Sequence, residues 1–273
     1  YGTMENFVLI AVPLFILMAN FLSRSGVAEG LFESMRYLMG PLRGGVAMAV
    51  VMVSTIFAAC TGIIGASVVT MGLLATPMML KYGYQKELTT GTICAGGTLG
   101  ILIPPSIMLV VMGDQATLSV GRLFMAAVIP GLILAGLYLA YIGIRCWRQP
   151  ELGPALSLEE RAAVPVRKRI TGSLVNLVPP MVLILSVLGA IFTGIATPTE
   201  ASGVGAVLAF LMVLGYRKFS WQGLKEIIWS SAKTTSMVLI ILCGATCFTG
   251  VFLGMGGGEV VSNFVMGLGL GKW

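Results

Sequence analysis

Long apolar stretches separated by short polar segments run through the whole chain. They cover residues 7–22, 46–60, 68–80, 88–112, 123–144, 174–192, 201–214 and 235–253, and another begins near Val260. A helix needs about 20 apolar residues to cross the hydrocarbon core of a membrane. The pattern therefore predicts an all-α polytopic membrane protein.

Two neighbouring stretches, 46–60 and 68–80, are too short to cross a membrane alone. Each would reach only about 20 Å as a helix, whereas the hydrocarbon core is about 30 Å thick. The residues between them, Thr61 to Ser67, are small and apolar rather than polar. The two stretches form either one long tilted span or a re-entrant hairpin over 46–80 whose tip lies inside the membrane.

The distribution of basic residues favours the hairpin. With a hairpin, segments 23–44, 81–87, 145–170 and 215–233 share one side of the membrane and hold 15 of the 17 lysines and arginines. With a single span the split is 12 against 4. Because basic residues concentrate on the cytoplasmic side, we predict the hairpin.

Composition supports this class and excludes others. Of the 273 residues, 57% are hydrophobic and 10% charged, against about 25% charged in soluble domains. The net charge of +6 comes from the loops, which favours membrane topology and contact with membrane lipid over nucleic acid. The sequence lacks a nucleophile elbow, a zinc signature and any histidine, so we expect no enzyme, no catalytic residue and no cofactor.

A double proline interrupts the stretch 88–112. Pro104 and Pro105 have no amide N–H, so the carbonyls of Gly100 and Ile101 lose their helical partners. In lipid such a break survives where protein, water or an ion satisfies the carbonyls, and secondary transporters build binding sites at broken helices. The alternative is a proline kink, with close helix packing through Gly96 and Gly100.

Hydroxyl side chains accompany the break. Thr98 and Ser106 flank it, and Thr61 and Ser67 bound the proposed hairpin tip. Carbonyl and hydroxyl oxygens can replace the water shell of a small hard cation. The sequence therefore predicts a site for sodium ions as coupling ions, with no other metal.

Acidic residues that could carry protons are few. Asp114 lies at the outer end of a span. Thr197 and Glu200 fit a capping box at a helix start, with Pro198 at the first helical position. Because proton-coupled carriers generally bury ionisable groups in the membrane, we expect sodium coupling and keep a proton-coupled carrier, or a permease subunit of another transport complex, as the alternative.

Segment 217–233 alternates basic and aromatic residues. We interpret it as an amphipathic helix at the membrane interface, anchored by Trp221 and Trp229. The chain begins at Tyr1 and ends at Trp273 within an apolar stretch, so we expect a fragment of a longer protein.

Four motifs together resemble one transporter family. They read AVPLFI at 11–16, FAACTGIIGAS at 57–67, GTLGILIPPS at 97–106 and GIATPTEA at 194–201. In this order they resemble the large membrane subunit, the DctM family, of tripartite ATP-independent periplasmic (TRAP) transporters. The tip sequence and the Gly113-Asp114-Gln115 triplet are similar to the subgroup labelled mannitol and chloroaromatic transporters.

The resemblance implies an elevator-type secondary transporter with inverted repeats in the bacterial inner membrane. The first repeat is then 1–147, with a span, the hairpin 46–80, a broken helix 88–112 and a span 123–144. A cytoplasmic linker follows at 148–173. Residues 174–273 form the start of a second repeat, which stops before its own hairpin. Such subunits work with a small four-helix membrane subunit and a periplasmic substrate-binding protein, and import organic acids or related small solutes with sodium.

Carried over residue by residue, the resemblance implies that backbone around Thr61, Gly62, Gly97 and Gly100 binds sodium. We add the hydroxyls of Ser67, Thr98 and Ser106 as further ligands. Many relatives have Ser-Gly-Ser at the tip, where this chain has Thr61-Gly62-Ile63, which changes the ligand set.

Overall fold

A computed structural model describes residues 7–156 and 165–267, and for 166–170 only the backbone. All regular elements in these ranges are helical, with short 3-10 helices at Phe7–Ile10 and Pro150–Leu152. The α-helices are α1 (Ala11–Arg24), α2 (Val27–Met39), α3 (Gly45–Thr61), α4 (Ile64–Lys81), α5 (Lys86–Leu102), α6 (Ile107–Gln115), α7 (Val120–Arg148), α8 (Val166–Phe192), α9 (Pro198–Gly215), α10 (Trp221–Gly254) and α11 (Gly257–Gly267).

The helices confirm the predicted all-α polytopic membrane protein. Within the described ranges, six helices are long and apolar enough to cross a membrane, and the bent pair α5 and α6 makes up to seven. Helix α3 is a shorter apolar helix of 17 residues. Helix α4 is one of the six, so the expectation that the stretch 68–80 is too short to cross is wrong, because α4 already begins at Ile64 and has 18 residues. Residues 1–6 and 268–273, on which the expectation of a fragment rests, lie outside the described residues.

The core forms where α1, α2 and α3 meet their neighbours. Helix α1 packs along α9 and α10, and α2 packs between α3 and α8. Helix α3 also contacts α4, α5 and α7. Phe15, Phe57 and Phe124 are fully buried in this core. Because α3 is apolar around its whole circumference, it can be enclosed on all sides.

Helices α3 and α4 form a hairpin. The Val46 N–H at the start of α3 donates a hydrogen bond to the Tyr84 hydroxyl, just after α4, at 3.1 Å. One continuous helix would separate these two residues by more than about 50 Å. The two ends of the pair therefore lie together, and the entry of this hairpin from a single membrane face remains our prediction.

The hairpin turn is shorter than the sequence suggested. We expected a tip from Thr61 to Ser67, but only Gly62 and Ile63 are non-helical. Residues 64–67 form the first turn of α4, because a single left-handed glycine is enough to end α3.

The residues after α7 bind both ends of the hairpin, just before α3 and just after α4, which we call the hairpin root. The carbonyl of Gly153 accepts the Gly44 N–H at 2.8 Å, and the carbonyl of Leu152 accepts the Gln85 N–H at 3.1 Å. Tyr84 lies at the hairpin root as well. Burial raises the pKa of its phenol, which therefore stays protonated. The start of the predicted linker is thus an ordered part of the hairpin base.

A buried arginine joins α2 to the end of α4. The side chain of Arg36 is 7% exposed. Its Nη1 donates to the Tyr82 hydroxyl at 3.0 Å, and its guanidinium lies 4.5 Å from the Tyr37 ring centroid. Glu33 is its only acidic neighbour among the described residues, at 3.9 Å. Aromatic rings and a phenol therefore lie closest to this charge, an arrangement that can stabilise a cation.

Two boundaries differ from the sequence interpretation. Segment 217–233 is not a helix of its own, because α10 runs without interruption from Trp221 to Gly254; its place at the membrane interface stays a prediction. Neither proline nor a turn separates its polar first part from its apolar remainder, so the helix propagates through both. Helix α8 begins at Val166, inside the predicted linker 148–173, and residues 157–164 of that linker lie outside the described residues.

Candidate functional site

The tip of the α3–α4 hairpin is a two-residue turn. Gly62 has a φ of +61°, and its N–H donates to the Ala58 carbonyl at 2.9 Å. Ile63 is extended, and α4 begins directly after it. Glycine suits the left-handed position because it has no Cβ. The carbonyls of the last turn of α3 have no partners within the helix beyond this point.

Two hydroxyl groups bridge the tip. The oxygens of Thr61 Oγ1 and Ser67 Oγ are 2.8 Å apart, and both side chains are buried. Ser67 also donates to the Ile63 carbonyl at 3.2 Å. Since a hydroxyl has one proton, Thr61 donates to Ser67. The pair thus links the end of α3 to the first turn of α4.

The predicted helix break lies between α5 and α6. Helix α5 ends at Leu102, where the Ile103 N–H donates to the Leu99 carbonyl at 2.8 Å. Ser106 is extended and precedes α6, which leaves at an angle of 40° to α5. Because Pro104 and Pro105 carry no N–H, the last carbonyls of α5 have no helical donors.

The tip and the break are in direct contact. A Cβ placed on Gly62 would lie 2.7 Å from the Pro105 carbonyl oxygen and 3.2 Å from the Ser106 Cα. Further along, Gly100 faces Ala58 at 3.4 Å, by the same measure. Helices α3 and α5 therefore run in parallel, and their C-terminal ends meet.

Four helix ends converge here. The C-terminal ends of α3 and α5 carry partial negative charge and unpaired carbonyls, and the N-terminal ends of α4 and α6 carry partial positive charge. The first pair suits a cation and the second an anion. Within the described residues no group of three His, Cys, Asp or Glu side chains could hold a metal.

Ser106 is the most unusual polar group at the site. Its side chain is fully buried, and its Oγ has no hydrogen-bond partner among the described residues. A buried hydroxyl without a partner costs about 1–3 kcal/mol. Nearly all buried polar groups in proteins have a partner, so this oxygen is well placed to bind a ligand.

The structure separates the other predicted residues by role. Thr61, Gly62, Ser67 and Ser106 lie together at the tip and the break. Gly97 is buried where α5 packs against Val68 of α4, which leaves no space for a Cβ. Gly100, two residues before the end of α5, allows the close approach of α3.

Thr98 lies on an exposed face of α5. Its hydroxyl donates to the Ala95 carbonyl at 2.8 Å. This bond is local to the helix, and the side chain does not join the cluster formed by Thr61 and Ser67. The proline break alone did not indicate this orientation, since it depends on which face of α5 the hairpin covers.

A second buried hydroxyl without a partner was not predicted from the sequence. Ser54 on α3 is fully buried, and its Oγ has no hydrogen-bond partner among the described residues. It packs against Gly96, where an added Cβ would lie 2.8 Å from that oxygen. The signal that could have indicated it is the presence of a serine within the largely apolar run 46–60.

The predicted capping box is present at the start of α9. The Glu200 carboxylate accepts the Thr197 N–H at 2.8 Å, and the Thr197 hydroxyl accepts the Glu200 N–H at 3.3 Å. Both side chains therefore form hydrogen bonds that cap the start of the helix. This geometry gives Glu200 a structural role at the boundary of a span.

A family profile described as "Tripartite ATP-independent periplasmic transporter, DctM component" matches residues 1–273. The chain belongs to the DctM family. Members are transporter permeases rather than enzymes, and the chain is a multi-pass protein of the bacterial inner membrane.

Relatives with named solutes match most or all of the chain. The chain is 36% identical over 276 residues to the C4-dicarboxylate TRAP transporter large permease protein DctM of Pseudomonas aeruginosa, covering 100% of this chain and 62% of that protein. It is 30% identical to the sialic acid TRAP transporter large permease protein SiaM of Vibrio cholerae, covering 90% and 56%. It is 29% identical to the 2,3-diketo-L-gulonate TRAP transporter large permease protein YiaN of Escherichia coli, covering 88% and 55%.

The chain thus spans about three fifths of the length of these DctM relatives. The hairpin, the break and the linker all fall within the region matched by the family profile and by the Pseudomonas aeruginosa relative. The similarity to the mannitol and chloroaromatic subgroup stays a prediction.

Proposed function

We propose that this chain provides one half of the transport site of a sodium-coupled TRAP large permease. The complete subunit imports an organic acid or a related small solute. The observation that carries the proposal is Ser106, a fully buried hydroxyl without a partner among the described residues, at the meeting point of two helix C-termini.

Sodium fits the donors at the tip and the break. The proposed ligands are the hydroxyls of Thr61, Ser67 and Ser106 with the carbonyls that follow Ala58 on α3 and Leu99 on α5. These are neutral oxygens, which suit a small hard cation that loses its water shell. Gly62 acts by bringing the two sets of oxygens together, and Gly97 by packing α5 onto α4.

The distribution of acidic residues supports sodium over protons. Between residues 34 and 113 the sequence has a single acidic side chain, Glu87. It lies in the first turn of α5, at the root of the hairpin and away from the break. Proton coupling at this site would need an ionisable group close to the ligand, and the tip and break contain none.

The other helix ends favour an anionic solute. The N-termini of α4 and α6 point towards the same region, and their unpaired N–H groups attract carboxylates. The named relatives transport C4-dicarboxylate, sialic acid and 2,3-diketo-L-gulonate, which are all acids. An organic acid held at the tip would therefore share the site with the cation that compensates its charge.

The transport cycle follows from how the hairpin is built. Helices α3, α4 and α5 pack as one unit around the tip, which suits movement as a rigid body in an elevator mechanism. The solute is delivered by a periplasmic substrate-binding protein, and a small four-helix membrane subunit completes the complex. The second half of the site comes from the part of the relatives that this chain does not cover.

The test uses the complete large subunit with its small partner in proteoliposomes, supplied with loaded binding protein. We expect uptake driven by an inward sodium gradient and none with a potassium gradient of equal size. Uptake that persists without sodium and collapses with the proton gradient would support the proton-coupled alternative instead.

A further inference from the structure

A groove separate from the tip and the break opens between α5 and α7. It has a volume of about 680 Å³, within the range of sites that enclose small molecules. Helix α3 closes its floor through Val51. None of the residues that line it belongs to the proposed transport site.

One end of the groove is polar and charged. Arg145 and Glu87 both line it, and no ion pair joins them to each other or to any other described residue. Arg145 Nη1 donates to the Tyr141 hydroxyl at 2.9 Å, and its guanidinium lies 5.8 Å from the ring centroid. The groove therefore presents one positive and one negative group, held at the same end.

The rest of the groove is apolar. Leu88, Ala95, Leu134 and Leu137 form its walls. Gly91 lines it as well, and a Cβ built there would meet no atom within 4 Å. From Arg145 back to Leu134 the groove follows α7 for about 16 Å, at about 1.5 Å per residue.

Exposed aromatic residues and arginines near the polar end indicate a position at the membrane interface. Tyr141 is 56% and Trp147 is 72% exposed near the end of α7, and aromatic side chains of this kind sit at the headgroup level. Arg145 and Arg148 lie in the last turn of the same helix. The charged end of the groove is thus placed where lipid headgroups are, and its apolar part extends towards the acyl chains.

We propose that this groove binds a zwitterionic phospholipid with an ethanolamine headgroup. The phosphate contacts Arg145 and the Tyr141 hydroxyl, the ammonium contacts Glu87, and one acyl chain lies along Leu134 and Leu137. The two opposite charges favour this headgroup over an anionic one, which would face the Glu87 carboxylate without a cation of its own.

The occupant is identified by photo-crosslinking in the complete subunit. A benzophenone amino acid replaces the exposed Leu137 in cells, and the covalent product is identified by mass spectrometry after purification. We expect phosphatidylethanolamine on residue 137. Crosslinks to the small subunit, or to the remainder of the large subunit, would show that protein fills the groove and overturn the proposal.

Matched variants test the headgroup contacts by native mass spectrometry from mixed phosphatidylethanolamine and phosphatidylglycerol nanodiscs. Arg145→Ala should lower retained phosphatidylethanolamine about tenfold, whereas Arg148→Ala, which removes the same charge outside the groove, should leave it unchanged. Glu87→Gln should remove the preference for phosphatidylethanolamine over phosphatidylglycerol. Equal retention in both arginine variants, or no preference in the wild type, overturns the proposal.

A variant that fills the groove with a bulky side chain tests lipid binding without any change of charge. It also leaves Arg145 in place, so a folding defect caused by its removal cannot affect the result. Gly91→Phe fills the groove from a position with open space. Gly136→Phe places the same ring on α7, where a Cβ also meets no atom within 4 Å, but outside the groove lining. We expect lipid loss in the first variant alone, and equal retention in both would contradict lipid binding in the groove.

Discussion

The carbonyl oxygen of Pro105 lies directly against Gly62, so close that a Cβ on the glycine would be only 2.7 Å away. This contact joins the hairpin tip to the helix break. The left-handed backbone of Gly62 ends α3, and the prolines end α5, at the same place. Any substitution that separates the two residues should therefore disturb both sets of carbonyls at once.

Gly62→Ala is expected to destabilise the tip. A left-handed alanine costs about 1–2 kcal/mol, and its methyl group would collide with the Pro105 carbonyl. Thermal unfolding of the complete subunit in detergent should show a lower midpoint, and sodium-driven uptake should fall. Gly65→Ala is the matched control, since that glycine is helical and a Cβ there meets nothing within 4 Å; a loss of the same size in both variants would refute the contact.

Tyr84→Phe is expected to loosen the hairpin root. It removes the acceptor for the Val46 N–H, which leaves a buried donor unpaired at a cost of about 1–3 kcal/mol. We expect faster proteolysis near residue 84 and a lower unfolding midpoint. Tyr216→Phe is the control, because the Tyr216 hydroxyl makes no hydrogen bond within the described residues. Wild-type stability in Tyr84→Phe would show that the bond does not hold the root.

The Thr61 and Ser67 hydroxyls should show an asymmetric coupling. Ser67→Ala leaves the buried Thr61 hydroxyl without its acceptor, whereas Thr61→Val leaves Ser67 still bonded to the Ile63 carbonyl. The serine variant should therefore lose more stability, with a coupling of about 1 kcal/mol in the double-mutant cycle. Additive effects in the unfolding free energy would argue against a direct bond between the two side chains.

Local signals in the sequence predicted much of this architecture. The double proline predicted the break, and the spacing of Thr197 and Glu200 predicted the capping box, because each depends on neighbouring residues alone. The ends of the hairpin meet at Val46 and Tyr84, whereas its entry from one membrane face, which the count of basic residues favours, stays a prediction.

Features that depend on distant contacts were not predictable in the same way. The burial of Arg36 among tyrosines, the exposed orientation of Thr98 and the unpartnered Ser54 each depend on which helix packs on which face. The continuity of α10 was missed because its polar first turns suggest a separate segment, although nothing in the chain interrupts the helix.

The most direct test of the proposed sodium site compares two serines that share one unusual property. Ser106 and Ser54 are both fully buried, with hydroxyls that have no partner among the described residues, but only Ser106 lies at the meeting of the helix ends. We would measure the sodium dependence of solute uptake by the complete transporter in proteoliposomes. Ser106→Ala should raise the half-saturating sodium concentration about tenfold, and Ser54→Ala should leave it unchanged. An unchanged sodium dependence in Ser106→Ala would contradict sodium binding between the hairpin tip and the broken helix.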